Sequence, residues 1–229
     1  MGNVQAEGCS WSSIQYMQRK ANCGDTFTGP NKPNKPSLWT ENWTAQFRVF
    51  GDPPSQRSAE DTAFSVARWF SKNGSLVNYY MYHGGTNFDR TAASFVTTRY
   101  YDEAPLDEYG LQREPKWGHL KDLHRALNLC KKALLWGKPN VQKLSVYRLG
   151  SMSNQEQRFC AAFLASNNSK EAETVKFRGQ EYYLPARSIS ILPDCKNVVY
   201  NTMTVIPNLL HVSIDNCLKL IIGAAPKTD

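Results

Sequence analysis

The hydrophobic pattern of this 229-residue chain changes its period near residue 140, and this change limits the folds that the chain can adopt. Before residue 140, segments with helical spacing alternate with short apolar segments that are typical of strands. After it, short segments alternate apolar and polar side chains and are separated by turn residues. The pattern predicts an α/β region followed by a smaller antiparallel β region.

The α/β region begins with a predicted strand and a well-delimited helix. SLWTENW (37–43) predicts a short apolar strand that ends in a carboxylate. Ser58 is a predicted helix N-cap, and Asp61, three residues later, gives a pattern close to a capping box. SLVNYYMY (75–82) follows the helix and is apolar on both faces, which predicts a parallel strand buried from both sides.

A long polar loop over residues 83–110 then leads to a second predicted helix. This helix starts near Trp117 and closes at Gly137, and Cys130 on its apolar face is predicted to be a buried thiol. The order of strand, helix, strand, loop and helix favours a barrel or a doubly wound sheet. Only about two such units are present, whereas a closed eight-stranded barrel needs roughly 250 residues. We therefore expect the last quarter of a barrel.

The β region contains three segments with strand-like alternation. FCAAFLASN, ETVKFRGQEYYLP and RSISILPDCKNVVYNT predict three to five antiparallel strands of a small sandwich. Cys160 and Cys195 flank this stretch and could form a disulfide in an oxidising compartment. No cysteine pair has the CxxC spacing of a metal site, and the four histidines do not complete a zinc pattern.

Composition and charge exclude several classes of partner. The net charge is +7, but the basic residues are scattered without a run of four, so we expect no nucleic-acid partner. The apolar stretch 206–222 is interrupted by Asp215 and Lys219, so we expect no membrane span. The first residues lack a basic segment followed by an apolar core, so no signal peptide is predicted in this chain.

Glu41 is the candidate catalytic residue. Glycosidases that retain configuration use two carboxyl groups about 5 Å apart, one as nucleophile and one as acid/base. In β/α barrels such groups lie at the carboxyl ends of strands. Glu41 ends a predicted strand, and Trp39 and Trp43 on either side of it could form the walls of a sugar pocket. Taken alone, a glutamate between two tryptophans is more often structural than catalytic.

Five sequence blocks point to one family. They are WTENW, AEDTAFSVARWF, NYYMYHGGTNF, APLDEYGL and PKWGHLKDLH. Their order and spacing over roughly residues 23–202 resemble the plant β-galactosidases of glycoside hydrolase family 35. On this resemblance we divide the chain into a divergent leader (1–22), a barrel portion (23–140), a β-rich segment (141–202) and a divergent tail (203–229).

The resemblance implies the C-terminal part of a (β/α)8 barrel followed by a small antiparallel β-sandwich segment. It implies release of terminal β-D-galactose from galactosides or cell-wall oligosaccharides and polysaccharides, with retention of configuration and without a metal or organic cofactor. It also implies secretion to the apoplast or cell wall. The nucleophile of the family is the glutamate of WTENW, here Glu41, and substrate contact is expected from Trp43 and from Tyr100 or Tyr101.

Three departures from the family pattern stand out. The acid/base glutamate of the family lies in an Asn-Glu pair on an earlier strand, and no Asn-Glu pair precedes Glu41 here. The family stretch SYDYDAP is RYYDEAP (99–105), which puts Asp102 at the position of the galactose-contacting tyrosine. HGGTNFGR is HGGTNFDR, with Asp89 replacing a glycine.

These departures predict that the chain alone is an inactive or nearly inactive piece of a β-galactosidase. The alternatives are a non-catalytic carbohydrate-binding or regulatory remnant, and a gene product that folds poorly. Two smaller expectations concern residues near the predicted sugar pocket at Glu41. His83 should position its loop and not shuttle protons, and the sequon at Asn42 should be bare because a glycan there would block the pocket.

Overall fold

The computed structural model describes Lys32 and residues 35–53, 56–89, 96–99, 101–140, 151–154 and 159–205. The helices are α1 (Ala59–Ser71), α2 (Lys116–Leu129) and α3 (Lys131–Trp136). The strands are β1 (Leu38–Asn42), β2 (Leu76–Tyr79), β3 (Lys138–Asn140), β4 (Ser151–Asn154), β5 (Phe159–Ala165), β6 (Glu173–Phe177), β7 (Gln180–Leu184), β8 (Ile189–Leu192) and β9 (Tyr200–Asn201). Among the described residues, no helix combines the length and apolarity needed to cross a bilayer.

The helix α1 begins where the sequence predicted. Ser58 has extended backbone angles, and its Oγ accepts a hydrogen bond from the backbone N of Asp61 at 3.1 Å. This satisfies one of the free N–H groups of the first turn. The Asp61 carboxylate forms ion pairs with Arg57 at 2.7 Å and Arg187 at 2.9 Å. The N-cap is thus confirmed, and the acid of the expected capping box is engaged with two arginines.

The strands β1 and β2 pair in parallel, as predicted. Leu38 lies opposite Leu76, and Tyr80 N donates to Asn42 O at 2.8 Å just beyond the strand. The expectation that 75–82 is buried from both sides is wrong for β2, because Leu76 is 46% exposed and the exposure alternates along the strand. Val77 and Tyr79 pack against the apolar cluster to which α1, α2 and α3 contribute. The opposite face lacks such a cover among the described residues.

The second predicted helix is broken at Cys130. Its backbone N donates to both Ala126 O and Leu127 O, so the chain tightens there before α3 begins. Cys130 is 1% exposed, which confirms the predicted buried thiol, and burial raises its pKa to about 12. The α3 helix ends at Trp136 and is capped by Gly137, where a Cβ would lie 2.3 Å from Ala133 O. That close approach explains the glycine.

The region after residue 138 is antiparallel throughout its described pairings, as predicted. One sheet has the order β3-β4-β5-β8-β9, and β6 and β7 form a separate hairpin. The two-residue loop of the hairpin, Arg178-Gly179, has φ values of 50° and 81°. Two successive positive φ values are typical of the type I′ turn, whose twist matches that of the flanking strands.

The strand β5 separates two cores. Ala161, Phe163 and Ala165 face α1, α2 and α3 in one apolar cluster, whereas Ala162 and Leu164 face the β6–β7 hairpin in another. Because successive side chains of a strand point to opposite faces, the sheet is covered on both sides. The predicted disulfide is present, with Cys160 and Cys195 joined at a Cα–Cα distance of 5.6 Å beside the hairpin core.

The described residues thus form a β/α portion whose helices pack on an antiparallel sheet. The parallel pair and its helices agree with the predicted β/α alternation. A closed eight-stranded barrel stays a prediction, because two parallel strands do not establish one.

Candidate functional site

Glu41 lies at the carboxyl end of β1 and its side chain is exposed to solvent. Both flanking tryptophans donate to this residue. Trp43 Nε1 donates to the carboxylate oxygen Oε2 at 3.2 Å, and Trp39 Nε1 donates to the backbone O of Glu41 at 3.1 Å. The structure therefore brings together the three residues of the predicted WTENW site.

The two indole rings are supported by different parts of the fold. Trp39 packs edge-on against Trp69 of α1, with ring centroids 5.7 Å apart. Trp43 belongs to an aromatic group with Phe47, Tyr80 and Tyr101, at centroid distances of 6.1, 5.3 and 6.1 Å. The ring that holds the Glu41 carboxylate thus packs against three aromatic neighbours, in tilted and edge-on arrangements that aromatic pairs favour.

Tyr101 is the most buried member of this aromatic group. It is 1% exposed, and its ring meets Tyr80 at 89°. Its backbone N donates to Gly84 O at 3.1 Å, and a Cβ on Gly84 would lie 2.6 Å from Tyr101 O. In this structure Tyr101 supports Trp43, and sugar contact through its side chain stays a prediction. Tyr100, the other predicted contact, is outside the described residues.

Asp102, at the position of the family tyrosine, is held in an ion cluster. Its carboxylate accepts from Arg48 at 2.8 Å and from Arg99 at 2.5 Å. Partial burial opposes ionisation, but hydrogen bonds from Arg48 and Arg99 outweigh it and hold the pKa of Asp102 below its usual value. The Asp102 carboxylate, bound by two arginines, therefore stands where the family resemblance leads us to expect a tyrosine hydroxyl.

The loop that begins with His83-Gly84-Gly85 contains backbone conformations that favour glycine. Asp89, which replaces a family glycine, has φ of 54°, a left-handed conformation that glycine adopts readily and aspartate tolerates. His83 Nε2 lies 3.2 Å from the backbone O of Glu108, and Thr86 Oγ1 donates to the Glu108 carboxylate at 3.0 Å. These contacts fit the predicted loop-positioning role of His83.

The segment that follows Glu41 is buried and held by residues that sequence reasoning missed. Asn42 is 0% exposed, so its sequon cannot carry a glycan in this fold. Its Oδ1 accepts from Arg57, and the carbonyl of Thr44 accepts from Lys116. Nothing in the local sequence pattern of Arg57 or Lys116 marks them, because their partners are distant along the chain.

A cavity of about 280 Å³ lies between the N-terminal ends of α1 and α2. Arg57, Glu103 and Lys116 are among the residues that line it, and Glu41 is not. The Glu41 carboxylate therefore does not open into this cavity. Within the described part of the chain, no group of three His, Cys, Asp or Glu side chains could hold a metal ion.

Sequence comparison identifies two family regions in this chain. The family described as "Glycosyl hydrolases family 35" matches residues 3–127, and "Beta-sandwich domain in beta galactosidase" matches residues 151–205. The first match starts inside the segment that we divided off as a leader, and the division at residue 22 stays a prediction.

Individual plant proteins are closely similar. The chain is 71% identical to Beta-galactosidase 13 and 68% identical to Beta-galactosidase 11 of Arabidopsis thaliana, each over 185 residues that make up 80% of this chain and 22% of the relative. It is 65% identical to Beta-galactosidase 11 of Oryza sativa subsp. japonica over 184 residues, again 80% of this chain and 22% of the relative. The chain thus spans about a fifth of the length of these curated relatives. Because the first family match covers more than half of the chain, the chain belongs to glycosyl hydrolase family 35.

Proposed function

We propose that this chain carries the nucleophile of a retaining β-galactosidase, and that Glu41 is that nucleophile. The observation that carries the proposal is the exposed Glu41 carboxylate at the carboxyl end of a parallel strand, hydrogen-bonded to Trp43, in a family 35 chain. The names of the plant relatives support β-galactosides as the substrate class.

The hydrogen bond from Trp43 gives the two carboxylate oxygens of Glu41 different roles in this proposal. The indole N–H holds Oε2 at 3.2 Å, so we assign the attack on the anomeric carbon to Oε1. The C1–Oε1 bond forms while the glycosidic C1–O bond breaks, and the leaving oxygen takes a proton from the acid/base carboxyl. Water then hydrolyses the galactosyl ester, with its proton returning to that acid/base group.

The acid/base group is the missing part of this reaction. We assign it to a strand of the (β/α)8 barrel outside these 229 residues, since no Asn-Glu pair precedes Glu41. General acid–base catalysis contributes ~10²–10⁴-fold in rate, and the second carboxyl must lie about 5 Å from the nucleophile. The isolated chain is therefore expected to show little or no turnover.

The place of action that we propose is the plant cell wall, reached by secretion. The disulfide between Cys160 and Cys195 supports an oxidising compartment. Asn73 and Asn167, which begin the other two sequons, are accessible to glycosylation, whereas Asn42 is buried. Wall galactosides are the substrate class that fits this location.

The experiment restores the absent part of the barrel. Residues 23–205 of this chain replace the matching segment of Arabidopsis Beta-galactosidase 13, and the chimera is treated with a mechanism-based 2-fluorogalactoside. We expect a covalent adduct on the peptide that contains Glu41, detected by mass spectrometry, and none in the E41Q chimera. An adduct at another residue of an active chimera contradicts the assignment.

The carbohydrate-binding alternative is tested on the 229-residue chain itself. Galactose is titrated while tryptophan fluorescence is recorded, with E41Q as the matched variant. Saturable binding combined with an inactive chimera would favour the non-catalytic alternative over ours.

A further inference from the structure

The backbone after Glu41 turns into the interior of the protein. Asn42 and Thr44 are both 0% exposed, although each brings polar backbone and side-chain groups with it. Buried polar groups need hydrogen-bond partners, because water cannot reach them. The partners of this segment decide its conformation, and with it the direction of the Trp43 ring.

Arg57 satisfies one side of this segment. Its Nη1 donates to Asn42 Oδ1 at 2.9 Å and to the backbone O of Trp43. The rest of the same guanidinium is fixed by α1, with Nε donating to Asp61 Oδ2 at 2.7 Å and Nη2 to Ser65 Oγ at 2.7 Å. The arginine side chain is only 12% exposed. One planar group thus ties the end of β1 to a helix.

Lys116 satisfies the next carbonyl. Its Nζ donates to the backbone O of Thr44 at 3.3 Å and to the backbone O of Glu103 at 2.6 Å. Thr44 is further held by its hydroxyl, which donates to Met81 O at 2.5 Å. Two consecutive carbonyls, those of Trp43 and Thr44, therefore point at two different buried cations.

These contacts reach Glu41 through Trp43. The indole that donates to Glu41 Oε2 is attached to the backbone that Arg57 and Lys116 hold. A lysine could not replace Arg57 fully, because it lacks the planar fork that serves Asn42, Asp61 and Ser65 together.

We propose that Arg57 and Lys116 are positioning residues that fix the Trp43 indole and, through it, the carboxylate of Glu41. The catalytic consequence of this inference rests on the proposed function, but the geometric part does not. It can be measured on the isolated chain without any turnover.

The test uses the indole N–H signals of the 229-residue chain in ¹⁵N-labelled NMR spectra. E41Q should move the Trp43 signal, because it removes the charge that the indole faces. In an R57M background, E41Q should leave the Trp43 signal unmoved, because the indole no longer holds that side chain. R57K should restore part of the response. The Trp69 indole, which donates to Leu76 O at 3.0 Å, reports that the fold persists.

R187M is the matched control. Arg187 shares Asp61 with Arg57 at 2.9 Å but belongs to the loop before β8, so its loss removes an ion pair without touching the segment after Glu41. The Trp43 response to E41Q should survive in R187M, and K116M should weaken it. An undiminished response in R57M overturns the inference. If R57M does not fold, R57K takes its place, and an undiminished response in R57K overturns the inference in the same way.

The chimera separates this inference from the proposed function. There, R57K should lower kcat at least ~10-fold with KM within about twofold, since misplacing a reacting group by about 1 Å can cost ~10²-fold. A chimera labelled at Glu41 but unaffected by R57K contradicts the positioning role alone. A chimera labelled elsewhere contradicts the nucleophile assignment and leaves the NMR result standing.

Discussion

The parallel pair β1–β2 and the antiparallel sheet around β5 differ in how their faces are covered. All four residues of β8 are buried, whereas exposure alternates along β2. The sheet around β5 has helices on one face and a hairpin on the other. Among the described residues, the pair that holds Glu41 has helices on one face only. Glu41, the candidate nucleophile, thus lies in the region whose strands are covered on fewer faces. The geometry of its site depends on buried polar contacts such as those of Arg57.

The largest expected effect compares one leucine from each region. L164A removes a side chain that is 1% exposed in the hairpin core, and should lower the free energy of unfolding by about 2–5 kcal/mol. L76A, at a position 46% exposed on β2, should lower it by about 1 kcal/mol or less. Urea denaturation followed by circular dichroism measures both. Equal losses would remove the distinction between the two regions.

The next effect concerns the disulfide. Among the described residues, it belongs to the region of the antiparallel sheet around β5 and not to that of the parallel pair. C160A/C195A should lower the free energy of unfolding by about 2–4 kcal/mol, because the unfolded chain regains the freedom that the cross-link removes. Dithiothreitol should lower the melting temperature of the unmodified chain and leave that of the double variant unchanged. A reductant effect of equal size on both would show that another cysteine pair is involved.

Lys116 makes the β/α region sensitive to pH. Burial is the largest cause that lowers the pKa of Lys116; Glu103 opposes it, nearby Arg57 and Arg113 add to it, and together these effects place the pKa at about 8. Between pH 8 and its ordinary value of 10.5, the folded state binds fewer protons than the unfolded state. The free energy of unfolding should therefore rise with pH through this window, by at most ~3 kcal/mol.

The measurement is urea denaturation at a series of pH values from about 7 to 9.5, on either side of the lowered pKa, with K116M as the matched variant. The tyrosines and the other titratable groups are the same in both proteins. The free energy of unfolding of the unmodified chain minus that of K116M, plotted against pH, therefore isolates the contribution of Lys116. A difference that falls with rising pH would have the wrong sign and would exclude a lowered pKa for Lys116.

The smallest effect tests the glycine that the family has at position 89. D89G should raise the free energy of unfolding by about 0.5 kcal/mol. A left-handed φ costs an L-residue about 1–2 kcal/mol, and the greater freedom of glycine in the unfolded chain offsets part of that gain. Thermal unfolding of both proteins measures it, and a destabilised D89G would mean that the carboxylate of Asp89 contributes contacts of its own.

Features set by neighbours along the chain were predictable from the sequence. The cap at Ser58 depends on a residue three positions away, and the strand at 37–43 has its own apolar pattern. The places of Cys160 and Cys195 beside the β segments indicated that they could pair, and the structure confirms the disulfide. Glu41 and its two tryptophans stand within five residues, so their proximity was also visible.

Features that depend on distant partners were not predictable. The exposure of Leu76 depends on which elements cover β2. The sequence of residues 75–82 is as apolar as that of a strand covered on both faces, so it could not reveal this exposure. Arg57 meets Asn42 and Trp43 fifteen and fourteen positions earlier in the chain, and Lys116 meets Thr44 across 72 positions. Neither spacing belongs to a local motif, so the groups that hold the Glu41 segment appear only in three dimensions.

Strand β5 belongs to two cores at once, and this determines how the chain can be divided. One set of its side chains completes the helical core and the other completes the hairpin core. A recombination junction between residues 140 and 151 would separate α1, α2 and α3 from the sheet surface that they cover, leaving Phe163 and Ile191 in water. The transplantable module is the set of helices together with the sheet, although one family match contains α1 and most of α2 and the other contains β4 to β9.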